Sequence, residues 1–252
     1  MQLAEGNAEK TIAPSQGIHL VVEKHYFKGN AGMMIPKTDD GRVLFAIPWH
    51  DKLLLGTTDT PVEQISIEPK PLKEEIDFII DHFNRYTTSV IYYKDVLSVF
   101  VGLRPLAKMN GKKKTALLPR DHVIKVLPSG LVHVTGGKWT TYRSMAEHTI
   151  NKAIQTAGLK FISSKTKHLK IHAMYPYTKA EIKWFVEKEM ALTVEDILGR
   201  RLRLLFLDAK AAIEAAPLVA KMLTALTGKD AQWEQQQLEA FNKLAKGYLI
   251  NL

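Results

Sequence analysis

The residues with the most chemistry to offer stand together at Gly136-Gly137-Lys138-Trp139-Thr140-Thr141, inside HVTGGKWTTYRSMAEH, residues 133–148. Apolar alternation before the glycines reads as a strand, and the composition after them reads as a helix. Glycines allow a backbone to approach a flat or anionic ligand closely. The free N–H groups of a helix start attract negative charge, and Lys138 adds a full positive charge there. Thr140 or Thr141 can cap the helix or donate to a ligand. The same residues also suit a tight strand-to-helix turn with a solvated lysine, and both readings stand on spacing alone. Arg104, in GLRPLAK (residues 102–108), offers a planar fork for carboxylate or phosphate. Its apolar neighbours and Pro105 equally suit a structural salt bridge, which spacing alone favours. His19, in PSQGIHLVV (residues 14–22), is the lone histidine of an apolar run, a setting usual for a hydrogen-bonded core residue and open to a catalytic base.

Weaker candidates follow the same logic. Thr57, Thr58 and Asp59 close an apolar run and could line a pocket, although a turn explains them. Lys112-Lys113-Lys114 reads as a solvated loop tip, or as an attractor of phosphate or lipid. Arg200, Arg201 and Arg203 lie in a leucine-rich stretch where inter-helix ion pairing is the default. The sequence carries no nucleotide P-loop, metal-ligand cluster, serine nucleophile elbow or RNA-binding aromatic motif.

The elements that must position these residues are legible in outline. Residues 1–16 are polar and small and read as a disordered or extended lead-in. Residues 17–101 hold short apolar runs, GIHLVVEK, GMMIPK, RVLFAIPW, KLLLGTTD and VLSVFVGL, broken by turn residues such as Asp39-Asp40-Gly41. That spacing predicts an antiparallel sheet with short connections. One helix interrupts it, with Leu72, Ile76, Ile79, Ile80 and Phe83 on one face and Glu74, Glu75 and Asp77 in its first turns. Residues 102–121 read as a basic loop, then HVIKVL and LVHVTG form a hairpin around Pro128-Ser129-Gly130, and a helix runs to a stop at Gly158. Residues 159–175 read as a lysine-rich linker. Residues 176–252 read as a helical bundle built from TKAEIKWFVEKEM, TVEDILGRRLRLLFLD, AAPLVAKMLTALTG and DAQWEQQQLEAFNKLAKGYL. Thr193 and Asp196 are spaced as a capping box. The class is therefore α+β.

Composition narrows the functions. At 252 residues with 46% apolar and 24% charged side chains, the chain is long enough and apolar enough to bury a core without staples. It has no cysteine, which excludes disulfides, zinc–thiolate sites, iron–sulfur clusters and cysteine nucleophiles, and fits a reducing compartment. A formal charge of +9 favours anionic partners. The basic residues are dispersed, which argues against a nucleic-acid face. No stretch approaches the ~20 apolar residues of a spanning helix, and MQLAEGNAEKT has no apolar core of a signal peptide.

In order, PSQGIHLVV, FAIPWHDKLLLGTTD, GLRPL, PRDHVI, VTGGKWTTYRSMAEH and EMALTVEDILGRRLRLLFLDA together resemble the aerobic, FAD-dependent glycerol-3-phosphate dehydrogenases. The resemblance runs from residue 14 to the helical tail, and GGKWTTYR with TVEDILGRR is the specific combination. It implies that residues 17–101 are the substrate-binding sheet domain. Residues 102–158 would be the returning part of a glutathione-reductase-like FAD domain, and residues 176–252 a helical C-terminal domain. It also implies a reaction, in which FAD takes a hydride from C2 of sn-glycerol 3-phosphate to give dihydroxyacetone phosphate and the electrons pass to quinone. By motif, Arg104 and Lys138 would hold the substrate and its phosphate, and His19 would be the base for the C2 hydroxyl or would orient the substrate. Gly136, Gly137, Lys138, Trp139, Thr140 and Thr141 would meet the flavin.

One departure is as informative as the match. The family opens on a strand–GxGxxG–helix that holds the FAD pyrophosphate, and no GxGxxG occurs in these 252 residues. The expectation is a chain inactive by itself that needs an N-terminal FAD-binding half as partner. It would be cytoplasmic, with peripheral contact at the inner face of the cell membrane as an option. A glycerol-phosphate oxidase using oxygen and a non-catalytic binding module that retains the fold are the alternatives.

Overall fold

The computed structural model describes residues 12–107, 122–169 and 179–250. In chain order these form β1 (Ile12–Glu23), β2 (Met33–Ile35), β3 (Leu44–Trp49), β4 (Lys52–Gly56), β5 (Thr60–Pro61), α1 (Lys73–Asn84) and β6 (Val96–Ala107). There follow β7 (His122–Val126), β8 (Val132–Gly136), α2 (Tyr142–Thr156), α3 (Lys179–Glu189), α4 (Leu204–Leu207), α5 (Ala209–Thr227) and α6 (Ala231–Ala245). Antiparallel pairing with separate helices gives the α+β class that the sequence predicts. Lys112-Lys113-Lys114, Pro119-Arg120-Asp121 and parts of the lead-in and linker stretches fall outside the described residues.

Two compact units divide the described chain. One holds residues 12–16, 59–67, 103–107 and 122–169, and the other holds 17–58, 68–102 and 179–250. The division does not follow the boundaries read from sequence, because β1 and β6 are twelve-residue strands that each run through both units.

The larger unit is built on the sheet order β2-β3-β4-β1, all antiparallel, with registers Phe45↔Gly56 and His19↔Gly56. Strand alternation sends Ile18, Leu20 and Val22 of β1, with Leu53 and Leu55 of β4, into a core closed by Ile79 and Phe83 of α1. Glu75 supports α1 from within, its carboxylate accepting the N–H of Leu72 at 3.1 Å and the Thr58 hydroxyl at 2.9 Å. The turn at Asp39-Asp40-Gly41 forms as expected, with Gly41 at φ +80° and its N–H donating to the Thr38 carbonyl at 3.0 Å.

The helical tail belongs to the same unit. Its own core gathers Phe185 of α3, Ile197, Ala212, Ala216 and Leu223 of α5, and Phe241 of α6. Ser98 of β6, fully buried, donates to the Leu205 carbonyl at 3.0 Å, and Phe100 meets Phe206 edge-on. The capping box forms: the Asp196 N–H donates to the Thr193 hydroxyl and the Thr193 N–H to the Asp196 carboxylate, each at 3.0 Å.

Three expectations are corrected and one is narrowed. Gly102–Ala107 are the second half of β6 and not a loop; one Pro at position 105 does not stop a strand, since it removes only a single donor. Residues 12–16 take the extended alternative read for the lead-in, as the start of β1, paired to β5 through Ser15↔Pro61 and Gln16↔Thr60. TVEDILGRRLRLLFLD is not one helix. A π-helical turn at Asp196–Arg201 ends where Arg203 turns left-handed (φ +57°), and α4 follows as a single turn. Finally, α5 begins at Ala209 and not at Ala215, because the Asp208 carboxylate accepts the Ala211 N–H at 3.0 Å and caps the earlier start.

The smaller unit contains the β7–β8 hairpin and α2. Its turn at Pro128-Ser129-Gly130 closes with the Gly130 N–H on the Leu127 carbonyl at 2.8 Å. No residue of α2 is fully buried, which matches its mixed apolar face. Among the described residues no helix is long and apolar enough to cross a membrane.

Candidate active site

The glycine pair is required by geometry. Gly136 and Gly137 have φ of +75° and +88°, a region where a Cβ clashes with the following carbonyl. A Cβ on Gly137 would also sit inside 3.0 Å of the Met145 side chain and 3.3 Å from the His122 Cβ. The bend therefore lets the hairpin, with His122 opposite Gly136, close against α2.

Beyond the bend, Lys138 is extended and Trp139–Thr141 form one 3-10 turn before α2 begins at Tyr142. The Thr141 hydroxyl and N–H both donate to the Lys138 carbonyl at 3.0 Å. Thr141 thus occupies the cap position without capping, contrary to one of the sequence readings. Its hydroxyl turns back, and the Tyr142 N–H that opens α2 donates to the Trp139 carbonyl of the preceding turn.

A cleft of about 370 Å³ opens between the bend and β6, lined by residues 103–106 and 136–139. It brings together Arg104, Gly136, Gly137, Lys138 and Trp139. Thr140 and Thr141 follow in the turn, exposed, outside that lining. Trp139 is 86% exposed and stacks on Tyr142 with ring centres 5.6 Å apart.

The two cations of the cleft differ in how they are held. The Arg104 guanidinium lies 3.5 Å from the Asp59 carboxylate. The buried Ser15 hydroxyl donates to that same carboxylate. Lys138 is exposed and makes no ion pair among the described residues. The structural salt bridge and the cleft cation are thus the same arginine. Asp59 is the residue that sequence reasoning under-read: as a turn residue after β4 it gave no signal that it faces an arginine 45 positions on.

His19 belongs to the other unit and is not part of the cleft lining. It projects from the sheet face opposite the α1 core, half-buried, and stacks on Phe100 with centres 5.2 Å apart. A Cβ on Gly56 would fall inside 3.0 Å of the His19 ring, so a glycine in β4 makes room for the imidazole. Thr58 sits just behind, its hydroxyl accepting the Ile18 N–H at 3.0 Å and donating to Glu75. Arg200 pairs locally, with Glu195 and Asp196 at its own turn, and not between helices as expected; Arg201 does reach another helix, at Glu189 of α3.

A cleft with a guanidinium fork, an exposed ammonium and a glycine backbone suits a ligand group of double negative charge. The glycine bend and the positive end of the Trp139–Thr141 turn and α2 also fit the electron-accepting edge of a flat, anion-forming ring, because positive dipole ends stabilise charge that develops there.

Comparison with known proteins gives a consistent result. Residues 1–150 match the FAD dependent oxidoreductase family, and residues 139–237 match the C-terminal domain of alpha-glycerophosphate oxidase. The mitochondrial glycerol-3-phosphate dehydrogenase of Macaca fascicularis is 32% identical over 96% of this chain and 41% of its own length. The human protein of that name is 31% identical over the same shares. The chain thus spans about two fifths of the length of these curated relatives. A glycerol-3-phosphate dehydrogenase from Bacillus halodurans, solved in complex with FAD, superposes with a TM-score of 0.75 at 20% identity, covering 94% of this chain and 57% of that one. At that identity the likeness establishes a shared fold.

Proposed function

We propose that this chain, which belongs to the FAD dependent oxidoreductase family, forms part of a flavoprotein that oxidises sn-glycerol 3-phosphate to dihydroxyacetone phosphate. The observation that carries the reading is the convergence of Arg104 and Lys138 on one cleft walled by the Gly136-Gly137 bend. FAD, when bound, supplies a two-electron acceptor for the hydride at C2. Gly136, Gly137 and the start of α2 would hold its ring edge, with Trp139, Thr140 and Thr141 alongside.

The chain's own residues do the rest. Arg104 grips the phosphate through its fork, and Lys138 adds a second charge-assisted contact, each roughly twice the strength of a neutral hydrogen bond. His19 takes the proton of the C2 hydroxyl on a ring nitrogen, a task suited to neutral imidazole near physiological pH. With no GxGxxG among the 252 residues, the pyrophosphate needs a cradle from an N-terminal FAD-binding half. Turnover is therefore expected only with that half present. Quinone is the proposed electron acceptor, which puts the working protein in the cytoplasm at the inner face of the cell membrane.

The test is anaerobic mixing of sn-glycerol 3-phosphate with the FAD-loaded assembly. The visible flavin absorbance should bleach, and glycerol should leave it unchanged. A fully loaded protein that does not bleach overturns the reading. Oxygen as acceptor is the second reading, favoured by the match of residues 139–237 to the oxidase domain. Reoxidation by oxygen with peroxide release, against reoxidation only by a short-chain quinone, separates the two.

A further inference from the structure

Ring contacts within the larger unit run from the candidate base into the helical tail. His19 lies nearly parallel to Phe100 of β6, at 19° with centres 5.2 Å apart. Phe100 meets Phe206 of α4 edge-on, at 81° and 5.1 Å, and Trp49 of β3 at a tilt of 56° and 6.4 Å. Phe206 meets Tyr248, in the 3-10 turn after α6, at 72° and 5.6 Å. These separations fall within the range of favourable ring pairs.

The backbone holds the series in place. Ser98 shares a face of β6 with Phe100, and its bond to the Leu205 carbonyl falls one residue before Phe206. Within α4, Leu205 is buried in the tail core while its neighbour Phe206 reaches Phe100. The break at Arg203 sets where α4 starts. This left-handed residue, at φ +57°, opens a new turn, with the Phe206 and Leu207 N–H groups both donating to the Arg203 carbonyl at 3.0 Å. A non-glycine residue in that region is uncommon, and here it starts the turn that presents Phe206 to β6.

The imidazole depends on such neighbours. Rotation about the bond from Cβ to a histidine ring is soft, so the plane of the ring is chosen by what packs on it. Gly56 of β4, opposite His19, contributes space and no side chain. Phe100 contributes a flat surface. A base must hold a ring nitrogen within hydrogen-bond reach of the proton it takes, so that plane matters to the chemistry.

We propose that Phe100 and Phe206 are positioning residues for His19, through which the helical tail sets the plane of the imidazole that takes the C2 hydroxyl proton. The inference rests on the reading of His19 as the base and goes beyond it by giving the tail a part in the reaction.

Two measurements test it. In the full chain, nuclear Overhauser contacts between the His19 and Phe100 rings should be present in the parent and lost in F206A. In the FAD-loaded assembly, anaerobic bleaching by saturating sn-glycerol 3-phosphate should slow in F206A by about two- to tenfold, the range that one aromatic pair spans. The half-saturating substrate concentration should not change, because the phosphate grip is untouched. H19N should be slower still, and F206A/H19N no slower than H19N, because Phe206 acts through the imidazole. F206L keeps the apolar bulk, so it retains the fold where F206A loosens it, and should show the same changes in smaller measure. Ring contacts unchanged in both Phe206 variants, or equal slowing by F206A with and without His19, overturns the inference. H19N that bleaches at the parent rate overturns the reading of His19 as the base; the His19–Phe100 contacts in F206A then decide alone whether the tail sets the ring.

Discussion

Replacing Gly137 by alanine tests the bend on which the site depends. Two separable penalties apply. At φ +88° an L-residue is strained by about 1–2 kcal/mol. The new methyl would also drive the Met145 thioether out of its place against the bend, an overpacking effect of about 1–3 kcal/mol, at the low end because methionine is flexible. The total is about 2–4 kcal/mol. Gly130 provides the internal control: its φ is +83°, but no atom lies within 4 Å of a Cβ built there. G130A should therefore lose only the backbone part, about 1–2 kcal/mol. Urea unfolding of both variants, with G137A/M145A closing a double-mutant cycle, separates strain from contact. Met145→Ala should be less harmful in the G137A background than alone. Equal losses for G137A and G130A, with no coupling to Met145, would refute the claim that the second glycine exists to admit α2.

Three further outcomes follow from other parts of the molecule. Burial opposes ionisation of Asp40, but hydrogen bonds from Arg42 and Thr38 outweigh it and hold its pKa at about 2, below its ordinary 3.8. Its contribution is present above the unfolded value and disappears as pH falls through about 2; because the carboxylate is 37% exposed, screening limits it to about 1 kcal/mol, so D40N should lower the urea midpoint at pH 7 and converge with the parent near pH 2. S98A should lose about 1–2 kcal/mol by leaving the Leu205 carbonyl buried without its donor, and amide exchange in the helical tail should accelerate; an unchanged stability would mean that contact is dispensable. D59N should tighten inorganic phosphate binding at the Leu103 and Leu106 methyls by at least roughly tenfold, since a carboxylate about 6 Å from a dianion costs about 1–2 kcal/mol even at the dielectric of bulk water; weaker binding would instead show that Asp59 serves mainly to aim Arg104.

The sheet was readable because its signals are local. Leu44, Ala46, Leu53 and Leu55 alternate with residues that face away, and Gly41 supplies the turn that φ +80° demands. The helix after Pro71 was readable because its apolar positions recur on one face. What escaped depends on contacts distant in sequence. Arg104 appeared to sit in a loop because Pro105 and the lysines after it carry turn composition, while its place in β6 is set by pairing with β1. Asp59 gained its role only when the fold brought it to Arg104. The break at Arg203 is invisible to periodicity, since leucines on both sides continue an apolar pattern through a left-handed residue. The glycine pair was legible as a bend, but not its reason, because Met145 lies a full helix turn beyond it.

The unequal restraint of Arg104 and Lys138 sets an order of importance between them. Arg104 already has part of its side-chain freedom removed by Asp59 and offers a planar fork. Lys138 is exposed and must be ordered when a ligand arrives, at a cost of up to about 1.5–2 kcal/mol in rotamer freedom. A contact of the same gross strength is therefore worth less net from the lysine than from the arginine. R104A also leaves Asp59 as an unbalanced negative charge at the cleft wall, which repels the ligand that Arg104 attracted. Phosphate affinity, followed at the Leu103 and Leu106 methyls, should accordingly fall further in R104A than in K138A. The double variant R104A/D59N should recover part of the loss. Were K138A the more damaging change, or D59N without effect in the R104A background, the guanidinium would be a structural brace and the lysine alone would select the anion.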